Sequence, residues 1–207
     1  PDPTNNAHIT QLVPGAAAGS TDARKLLYTG ANSQTGRENL SARVSCDDGA
    51  SWPGLRTIRH GFSAYSSSTA LADGKFGVLY EGNYTDSMPF ASFDEEWLNY
   101  VCAPQASKDF TADAGATHKL SVTVTNQEDT VLNGALALAA SQKFASNSVD
   151  IANLPAGESR TVELDVKVPV TANGKYLLQT IFTAADGTTA QGNLRATIAG
   201  KEVTGIE

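Results

Sequence analysis

Eight residues decide the fold of this chain: Ser45-Cys46-Asp47-Asp48-Gly49-Ala50-Ser51-Trp52. They follow the pattern S-x-D-x-G-x-[ST]-W, which combines four residue types at fixed spacing. An aspartate and a hydroxyl side chain tie a tight turn, a glycine takes the positive φ that the turn requires, and the tryptophan packs beneath it. The stretch therefore predicts a β-hairpin held by Asp47 and Ser51, with Gly49 in the left-handed region and Trp52 below the turn.

This pattern is known as the Asp-box, and it occurs on the outer rim of several kinds of β-propeller, where it does no chemistry. Internal repetition also favours a propeller, because Lys25–Gly30 recurs as Gly77–Gly82 and the Asp-box recurs in worn form as Ser92–Asp94 with Trp97. The first repeat has an offset of about 52 residues, the length of a four-stranded blade. We therefore expect two blades here, which would leave open sheet edges and be stable only against further blades.

Three polar residues flank the Asp-box in order. Arg37 precedes it in Gln34-Thr35-Gly36-Arg37, Tyr65 follows it in Phe62-Ser63-Ala64-Tyr65-Ser66, and Glu81 comes later in Gly77-Val78-Leu79-Tyr80-Glu81-Gly82. Taken together, residues 5–104 resemble the last part of the catalytic propeller of bacterial exo-sialidases of the secreted actinobacterial type. The resemblance implies that Tyr65 is the covalent nucleophile and that Arg37 belongs to the arginine triad that grips the substrate carboxylate. It implies that Glu81 holds another arginine of that triad in place.

The chemistry of sialic acid explains these residue types. Its anomeric carbon carries a carboxylate, which would repel the carboxylate nucleophile of an ordinary retaining glycosidase, and sialidases use a tyrosine instead. A neutral phenol avoids that repulsion, but its pKa near 10 means that it needs an adjacent base. Guanidinium groups bind a planar carboxylate through two parallel charged hydrogen bonds. The reaction implied is retaining hydrolysis of terminal α-sialosides through a tyrosyl-linked intermediate.

The remaining catalytic residues of that family lie upstream of the part that this chain resembles. They are two further arginines, an acid/base aspartate and a glutamate that activates the nucleophile. A six-bladed propeller needs about 310 residues, of which two blades supply a third. We therefore expect the chain to be part of an enzyme, to have the upstream blades of the same propeller as its partner, and to be inactive without them.

Composition fits a secreted or cell-surface protein of the all-β class. The chain has 207 residues and a net charge of −7, and this charge argues against nucleic acid as a partner. No run of apolar residues is long enough to span a membrane. The three histidines lack the spacing of a metal site. We expect no metal and no cofactor, and we expect the substrates to be sialylated glycans of glycoproteins and glycolipids.

The chain has two cysteines, Cys46 inside the Asp-box and Cys102 near the end of the propeller-like segment. In an exported protein they could form a disulfide bond that links one blade to the next. They could equally be two separately buried thiols. The sequence does not give the Cα separation that would decide between the two.

The character of the chain changes near residue 104, so we divide it into a propeller-like part, 1–104, and a second module, 105–207. After a polar stretch that reaches Phe110, the module has short alternating runs separated by turn signals such as Asn173-Gly174 and Asp186-Gly187. This pattern predicts a β-sandwich. The module resembles the Ig-like domains that follow bacterial glycosidases, where they serve as spacers. We assign its aromatic residues to the core: Phe110, Phe144, Tyr176 and Phe182.

Two other functions stay open at this point. A non-catalytic Asp-box propeller with an attached sandwich would bind glycans or proteins without cleaving them. A transglycosylating relative would share every residue named above. An Arg-Ile-Pro-like motif upstream, followed by an aspartate, a glutamate and a further arginine, would favour an enzyme over the binding protein.

Overall fold

The computed structural model describes residues 3–85, 87–139 and 143–200. The chain divides into two compact units between Cys102 and Ala103. Strands dominate both units, and the helical segments among the described residues are only three or four residues long. The predicted all-β class is therefore confirmed. No helix in the described parts is long and apolar enough to cross a membrane.

The first unit contains two antiparallel sheets. The first sheet has four strands in the order β1-β2-β3-β4, and the second has three in the order β5-β6-β7. A short 3-10 helix, Asp22–Arg24, precedes β2. The strands are β1 (His8–Gln11), β2 (Leu26–Ala31), β3 (Glu38–Ser45), β4 (Gly54–Phe62), β5 (Ser66–Ala70), β6 (Phe76–Tyr80) and β7 (Phe90–Phe93).

One apolar core joins these two sheets. Leu27 of β2 lies opposite Val44 of β3, and both side chains are buried in a cluster with Val78 of β6 and Phe93 of β7. Burial of each such side chain stabilises the fold by about 1.5–3 kcal/mol relative to exposure. The shared core fixes β5 and β6 against the first sheet, and it thereby sets the positions of the residues at their ends.

A disulfide bond between Cys46 and Cys102 links the turn after β3 to the end of the first unit. Both cysteines are buried, with 7% and 1% of their surface exposed. Of the two alternatives that the sequence leaves open, the structure therefore has the bridge rather than two separate thiols. The bond closes a sequence separation of 56 residues.

The worn copy of the Asp-box at Ser92–Asp94 folds differently from the first. Asp94 caps a helical turn, α1 (Glu95–Leu98), by accepting a hydrogen bond of 2.8 Å from the backbone N–H of Trp97. The reason lies in the sequence, because Glu96 stands where the first copy has Gly49. A glutamate does not readily take the positive φ that the tight turn needs, whereas aspartate is a favoured helix N-cap.

The second unit contains two further sheets, with strand orders β12-β14-β10-β8 and β13-β11-β15-β16-β9. The alternating runs of the sequence lie on strands β10, β11, β14, β15 and β16 to within one residue; the runs are His118–Thr125, Ala135–Ala139, Arg160–Val168, Tyr176–Ala184 and Gly192–Ala199. The strands are β8 (Gln105–Ser107), β9 (Phe110–Asp113), β10 (Thr117–Thr125), β11 (Leu132–Leu138), β12 (Ala145–Ser146), β13 (Val149–Leu154), β14 (Ser159–Lys167), β15 (Gly174–Ala184) and β16 (Thr189–Ala199).

The polar stretch before Phe110 contains a strand that the sequence did not predict. β8 pairs with β10 in one sheet, and after two residues the chain continues as β9, which pairs in parallel with β16 in the other sheet. Asp109 lies at this crossing, where its Oδ1 accepts a 2.7 Å hydrogen bond from the backbone N–H of Arg195. The crossing therefore ties the two sheets of the second unit together.

The aromatic residues assigned to the core of the second module are largely buried. Phe144, Phe182 and Phe110 have 9% or less of their surface exposed, and Tyr176 is half-buried with its ring edge-on to Phe144 at 5.0 Å. Tyr176 also uses its hydroxyl, which donates to the carbonyl oxygen of Asn173. An amphipathic ring at the border of the core satisfies both its apolar and its polar part.

Candidate functional site

The turn of the first Asp-box has the predicted hydrogen bonds. The carboxylate of Asp47 accepts from the backbone N–H of Ser51 at 2.8 Å and from its hydroxyl at 2.6 Å. The hydroxyl of Ser45 accepts from the N–H of Gly49 at 2.8 Å, and Gly49 has a φ of +86°. A Cβ on Gly49 would lie 3.6 Å from the ring of Trp52, so the tryptophan packs against the turn. These contacts make the turn a rigid structural element rather than a reactive one.

Tyr65 and Glu81 lie side by side at the end of the second sheet. Tyr65 directly precedes β5 and Glu81 directly follows β6, and these two strands pair so that Ser66 lies opposite Tyr80. The N–H of Glu81 donates to the carbonyl oxygen of Tyr65 at 3.0 Å, which extends the ladder by one step. The carboxylate of Glu81 also accepts a 3.4 Å hydrogen bond from the backbone N–H of Tyr65.

Arg37 reaches the same place from the connection between β2 and β3. Its guanidinium carbon lies 5.0 Å from the centre of the Tyr65 ring, within the range of a cation–π contact. The backbone is fixed as well, because the carbonyl oxygen of Arg37 accepts a 3.0 Å hydrogen bond from the N–H of Ser63. The structure therefore brings Arg37, Tyr65 and Glu81 together, although 44 positions separate the first from the last (81 − 37).

The connection that carries Arg37 is ordered by one buried hydroxyl. Ser33, with 8% of its surface exposed, accepts hydrogen bonds from the N–H groups of Thr35 and Gly36 and donates to Glu38 at 2.8 Å. Serine commonly orders a turn in this way. Although its composition is typical of a loop, this stretch therefore has an ordered backbone that positions Arg37.

The ring of Tyr65 is accessible to a ligand, because 40% of the residue is exposed. Arg37 and Glu81 are both half-buried. Half-burial removes part of the surrounding water, which strengthens charge interactions relative to those on an open surface. The arrangement combines a phenol, a fixed cation and a fixed carboxylate around one accessible ring, and it suits the binding of an anion beside a phenolic oxygen.

Sequence reasoning missed two arginines of the first unit that stack on tyrosines. Arg59 of β4 lies over the ring of Tyr80 at 5.7 Å, and Arg43 of β3 lies over Tyr28 at 5.4 Å and donates to Asn32 at 2.7 Å. An arginine on a strand ordinarily faces solvent, and no signal in a single sequence distinguishes one that stacks on a tyrosine.

A separate groove of about 530 Å³ lies in the second unit. It lies where β8 ends at Ser107 while β10 continues along the edge, and the stacked rings of Phe110 and His118, 4.0 Å apart, form part of its wall. It contains none of the predicted site residues. Within the described parts of the chain, no group of three or more histidine, cysteine, aspartate or glutamate residues is placed to hold a metal ion.

The protein is all-β, and Arg37 lies against Tyr65, which is beside Glu81 at the end of the second sheet. The resemblance to bacterial sialidases implies these three residues, and a comparison with curated proteins supports a relation to sialidases. The chain is 43% identical over 127 residues to the sialidase of Micromonospora viridifaciens. The alignment covers 61% of this chain and 19% of that sialidase, so the chain spans about a fifth of its relative. The predicted resemblance to bacterial sialidases is confirmed at this level.

Other comparisons add little. No family model matches the chain. Among solved structures, the secreted serine protease VesC from Vibrio cholerae matches with a TM-score of 0.38 and 14% identity, covering 84% of this chain and 41% of that one. A cohesin–dockerin complex from Clostridium thermocellum matches with a TM-score of 0.25 and 11% identity, covering 48% of this chain and 96% of that one. Both TM-scores are too low to support any argument about fold or function.

Proposed function

We propose that this chain supplies the nucleophile of a secreted exo-α-sialidase and is inactive without the upstream part of the catalytic propeller. The observation that carries the proposal is that Tyr65 contacts both Arg37 and Glu81 in a chain related to a sialidase. The reaction is retaining hydrolysis of terminal sialic acid. The substrates are sialylated glycans of glycoproteins and glycolipids.

Tyr65 forms and breaks the covalent bond in this proposal. Its phenolic oxygen attacks the anomeric carbon while the bond to the leaving group breaks, and the phenol proton passes to a base in the upstream part. The leaving oxygen receives a proton from an upstream acid. Water then cleaves the tyrosyl-linked intermediate and restores the phenol. The 40% exposure of Tyr65 supports this role, because the nucleophile has to be open to a bound sugar.

Arg37 binds the carboxylate that sialic acid carries beside the reacting carbon. A guanidinium fork donates two parallel hydrogen bonds to a carboxylate, and it stays charged at every relevant pH. The cation–π contact of Arg37 with the Tyr65 ring supports this role, because an anchor for the carboxylate has to lie close to the nucleophile. Binding the carboxylate there orients the anomeric carbon toward the phenolic oxygen, which lowers the entropic part of the barrier.

Glu81 acts as a positioning residue. Its carboxylate accepts a hydrogen bond from the backbone of Tyr65 and is held by the strand pairing of β5 with β6. Its remaining acceptor capacity is available to an arginine from the upstream blades, which is the role that the resemblance implies. A carboxylate that contacts both the nucleophile backbone and a substrate-binding arginine would couple their positions.

The sheets of the first unit serve as the last two blades of a six-bladed propeller in this proposal. Leu79 and Phe90 face solvent from the second sheet, with 44% and 62% of their surfaces exposed. Facing side chains of an upstream blade would bury this surface, which otherwise costs free energy in water. The second unit then serves as an Ig-like spacer, with the domain boundary near residue 104.

The proposal is tested by exchange into the related sialidase. The segment of the Micromonospora viridifaciens sialidase that aligns with this chain is replaced by the matching 127 residues, and release of a fluorophore from an aryl α-sialoside is measured. We expect the chimera to be active and this chain alone to be inactive. We expect Tyr65→Phe in the chimera to lower turnover by at least about a hundredfold, because the nucleophile is lost.

Tyr100→Phe is the matched control, because it removes the same atom from a tyrosine whose hydroxyl donates to Glu95 instead. It should leave turnover unchanged. A Tyr65→Phe chimera that keeps the rate of its parent would refute the nucleophile assignment. A well-folded chimera without any activity would refute the sialidase assignment.

A further inference from the structure

Phe62 and Tyr84 form an aromatic pair on the surface of the first unit. Their ring centres lie 4.4 Å apart at an angle of 59°. Tyr84 has 74% of its surface exposed, while Phe62 is half-buried. An exposed tyrosine that leans on a second ring presents a broad amphipathic surface, with apolar faces and one hydroxyl group.

Both rings belong to segments that carry the candidate site. Phe62 ends β4 opposite Glu38, and the next residue, Ser63, donates its N–H to the carbonyl oxygen of Arg37. Tyr84 follows Glu81 by three residues, on the loop between β6 and β7. The aromatic pair therefore joins the loop after Glu81 to the backbone beside Arg37.

Hydrogen bonds hold the described residues on both sides of Tyr84. The N–H of Gly82 donates to the carbonyl oxygen of Ser87 at 2.8 Å. The side-chain oxygen of Asn83 accepts from the N–H groups of Thr85 and Ser87, each at 3.0 Å. Gly82 also packs closely on β4, since a Cβ there would lie 2.9 Å from a guanidinium nitrogen of Arg59. These contacts hold the backbone on both sides of Tyr84, and the ring itself packs on Phe62.

We propose that this aromatic pair binds the neutral sugar to which the terminal sialic acid is attached. The inference rests on the proposed function. The leaving sugar is bonded directly to the anomeric carbon, so in this proposal it lies next to the sialic acid that Arg37 binds. The aromatic pair is built on segments that adjoin Arg37 and Glu81. Neutral hexoses have an apolar C–H face that packs on aromatic rings, and their hydroxyls can bond the phenol of Tyr84. The pair selects substrates by the sugar beyond the cleaved bond.

Two substrates separate this role from catalysis. α-Sialyllactose carries a sugar as its leaving group, whereas sialyl fluoride carries none. The assay uses this chain together with the upstream blades, the form that is expected to be active. There we expect Tyr84→Ala to lower kcat/KM for sialyllactose by about tenfold, corresponding to loss of one ring–sugar contact. The kcat/KM for sialyl fluoride should change by no more than about twofold. Tyr84→Phe keeps the ring and should retain most of the rate. Met88→Ala, at another exposed residue of the same loop, is the matched control.

Equal losses on both substrates would overturn the proposal, because they would show that Tyr84 only supports the fold or contacts another blade. Unchanged rates on both would overturn it as well. Saturation-transfer NMR with lactose makes the result independent of turnover. Lactose contacts that vanish in Tyr84→Ala support the platform, and no lactose contact in the unaltered protein overturns it. A complete protein that binds lactose but hydrolyses neither substrate refutes the proposed function instead.

Discussion

The two units of this chain differ in how many large apolar side chains they expose. Eight large hydrophobic side chains are exposed among the described residues, and six of them belong to the first unit: Ile9, Tyr65, Leu79, Tyr84, Met88 and Phe90. The second unit exposes only Val131 and Val170 in the parts described. Exposed apolar surface of this kind marks a place for contacts with other molecules or domains. The comparison indicates that the first unit has apolar surface suited to contact with other domains, whereas the described part of the second unit buries nearly all of its large apolar side chains.

The strands show the same difference. β16 alternates between buried and exposed residues along most of its length, as expected for a sheet with one face in a core. β6 instead buries Phe76, Gly77 and Val78 in succession. One reason is local, because Phe90 covers Gly77 so closely that a Cβ there would lie 2.8 Å from its ring. Strands of the first unit therefore carry apolar contacts on both faces.

Separate production of the two units gives the largest expected effect. A protein made of residues 103–207 should fold and show one cooperative thermal transition, because its core is complete. A protein made of residues 1–102 should bind the dye ANS and self-associate as its concentration rises, because its apolar sheet face lacks cover. Circular dichroism follows the thermal transition, and ANS fluorescence and light scattering measure the exposed apolar surface and the self-association. A first unit that stays monomeric and binds no ANS would remove the basis of the comparison.

Breaking the disulfide bond should affect only one unit. Loss of the Cys46–Cys102 bridge in Cys102→Ser removes a constraint across 56 residues, which should lower the free energy of unfolding of the first unit by about 4 kcal/mol. The second unit contains no cysteine and supplies the internal control, since its transition should not move. Differential scanning calorimetry of the complete chain resolves this. A shift of both transitions would mean that the units unfold together.

The turns held by Asp47 and Asp186 should differ in stability by a smaller amount. Asp47→Ala in the first unit removes a half-buried carboxylate that accepts bonds from Ser51, and should cost about 1–3 kcal/mol. Asp186→Ala in the second unit removes an exposed carboxylate that accepts from Thr188, and should cost less than about 1 kcal/mol. Urea titration measures both. Equal losses would show that burial does not decide the strength of these turns.

The Asp186 turn should also respond to pH. The hydroxyl of Thr188, together with its backbone N–H, lowers the pKa of Asp186. A carboxyl group with a lowered folded-state pKa contributes stability above its unfolded pKa, and this contribution is lost as the pH falls through the folded-state value. Asp186→Ala and the native chain should therefore differ in stability above about pH 4 and converge at lower pH.

The sequence could predict most of the second unit, because its strands have one buried face and alternate accordingly. It could not predict β8 and β9, since these short strands change sheets within a few residues and never establish a period. The sequence shows the recurrence of the Asp-box at Ser92–Asp94 but not the different local structure there, a helical turn that is favoured because Glu96 stands in place of glycine. Local chemistry outweighed the repeat there.

The candidate site was predicted from a resemblance and not from periodicity. Arg37, Tyr65 and Glu81 carry no pattern of their own, and only the motif order around the Asp-box links them. That order says nothing of the distances, which depend on the shared core of the two sheets. The stacking of Arg59 on Tyr80 and the aromatic pair of Phe62 with Tyr84 could not be predicted, because both contacts join residues from separate strands and loops.

The parallel pairing of β9 with β16 has a mechanical consequence. β9 lies near the start of the second unit and β16 near its end, and the two strands run in the same direction. A pulling force applied to the two ends of this unit would therefore slide the strands along each other. Their hydrogen bonds would have to break together instead of one after another. The second unit should thus resist tension far better than an antiparallel hairpin that opens from one end.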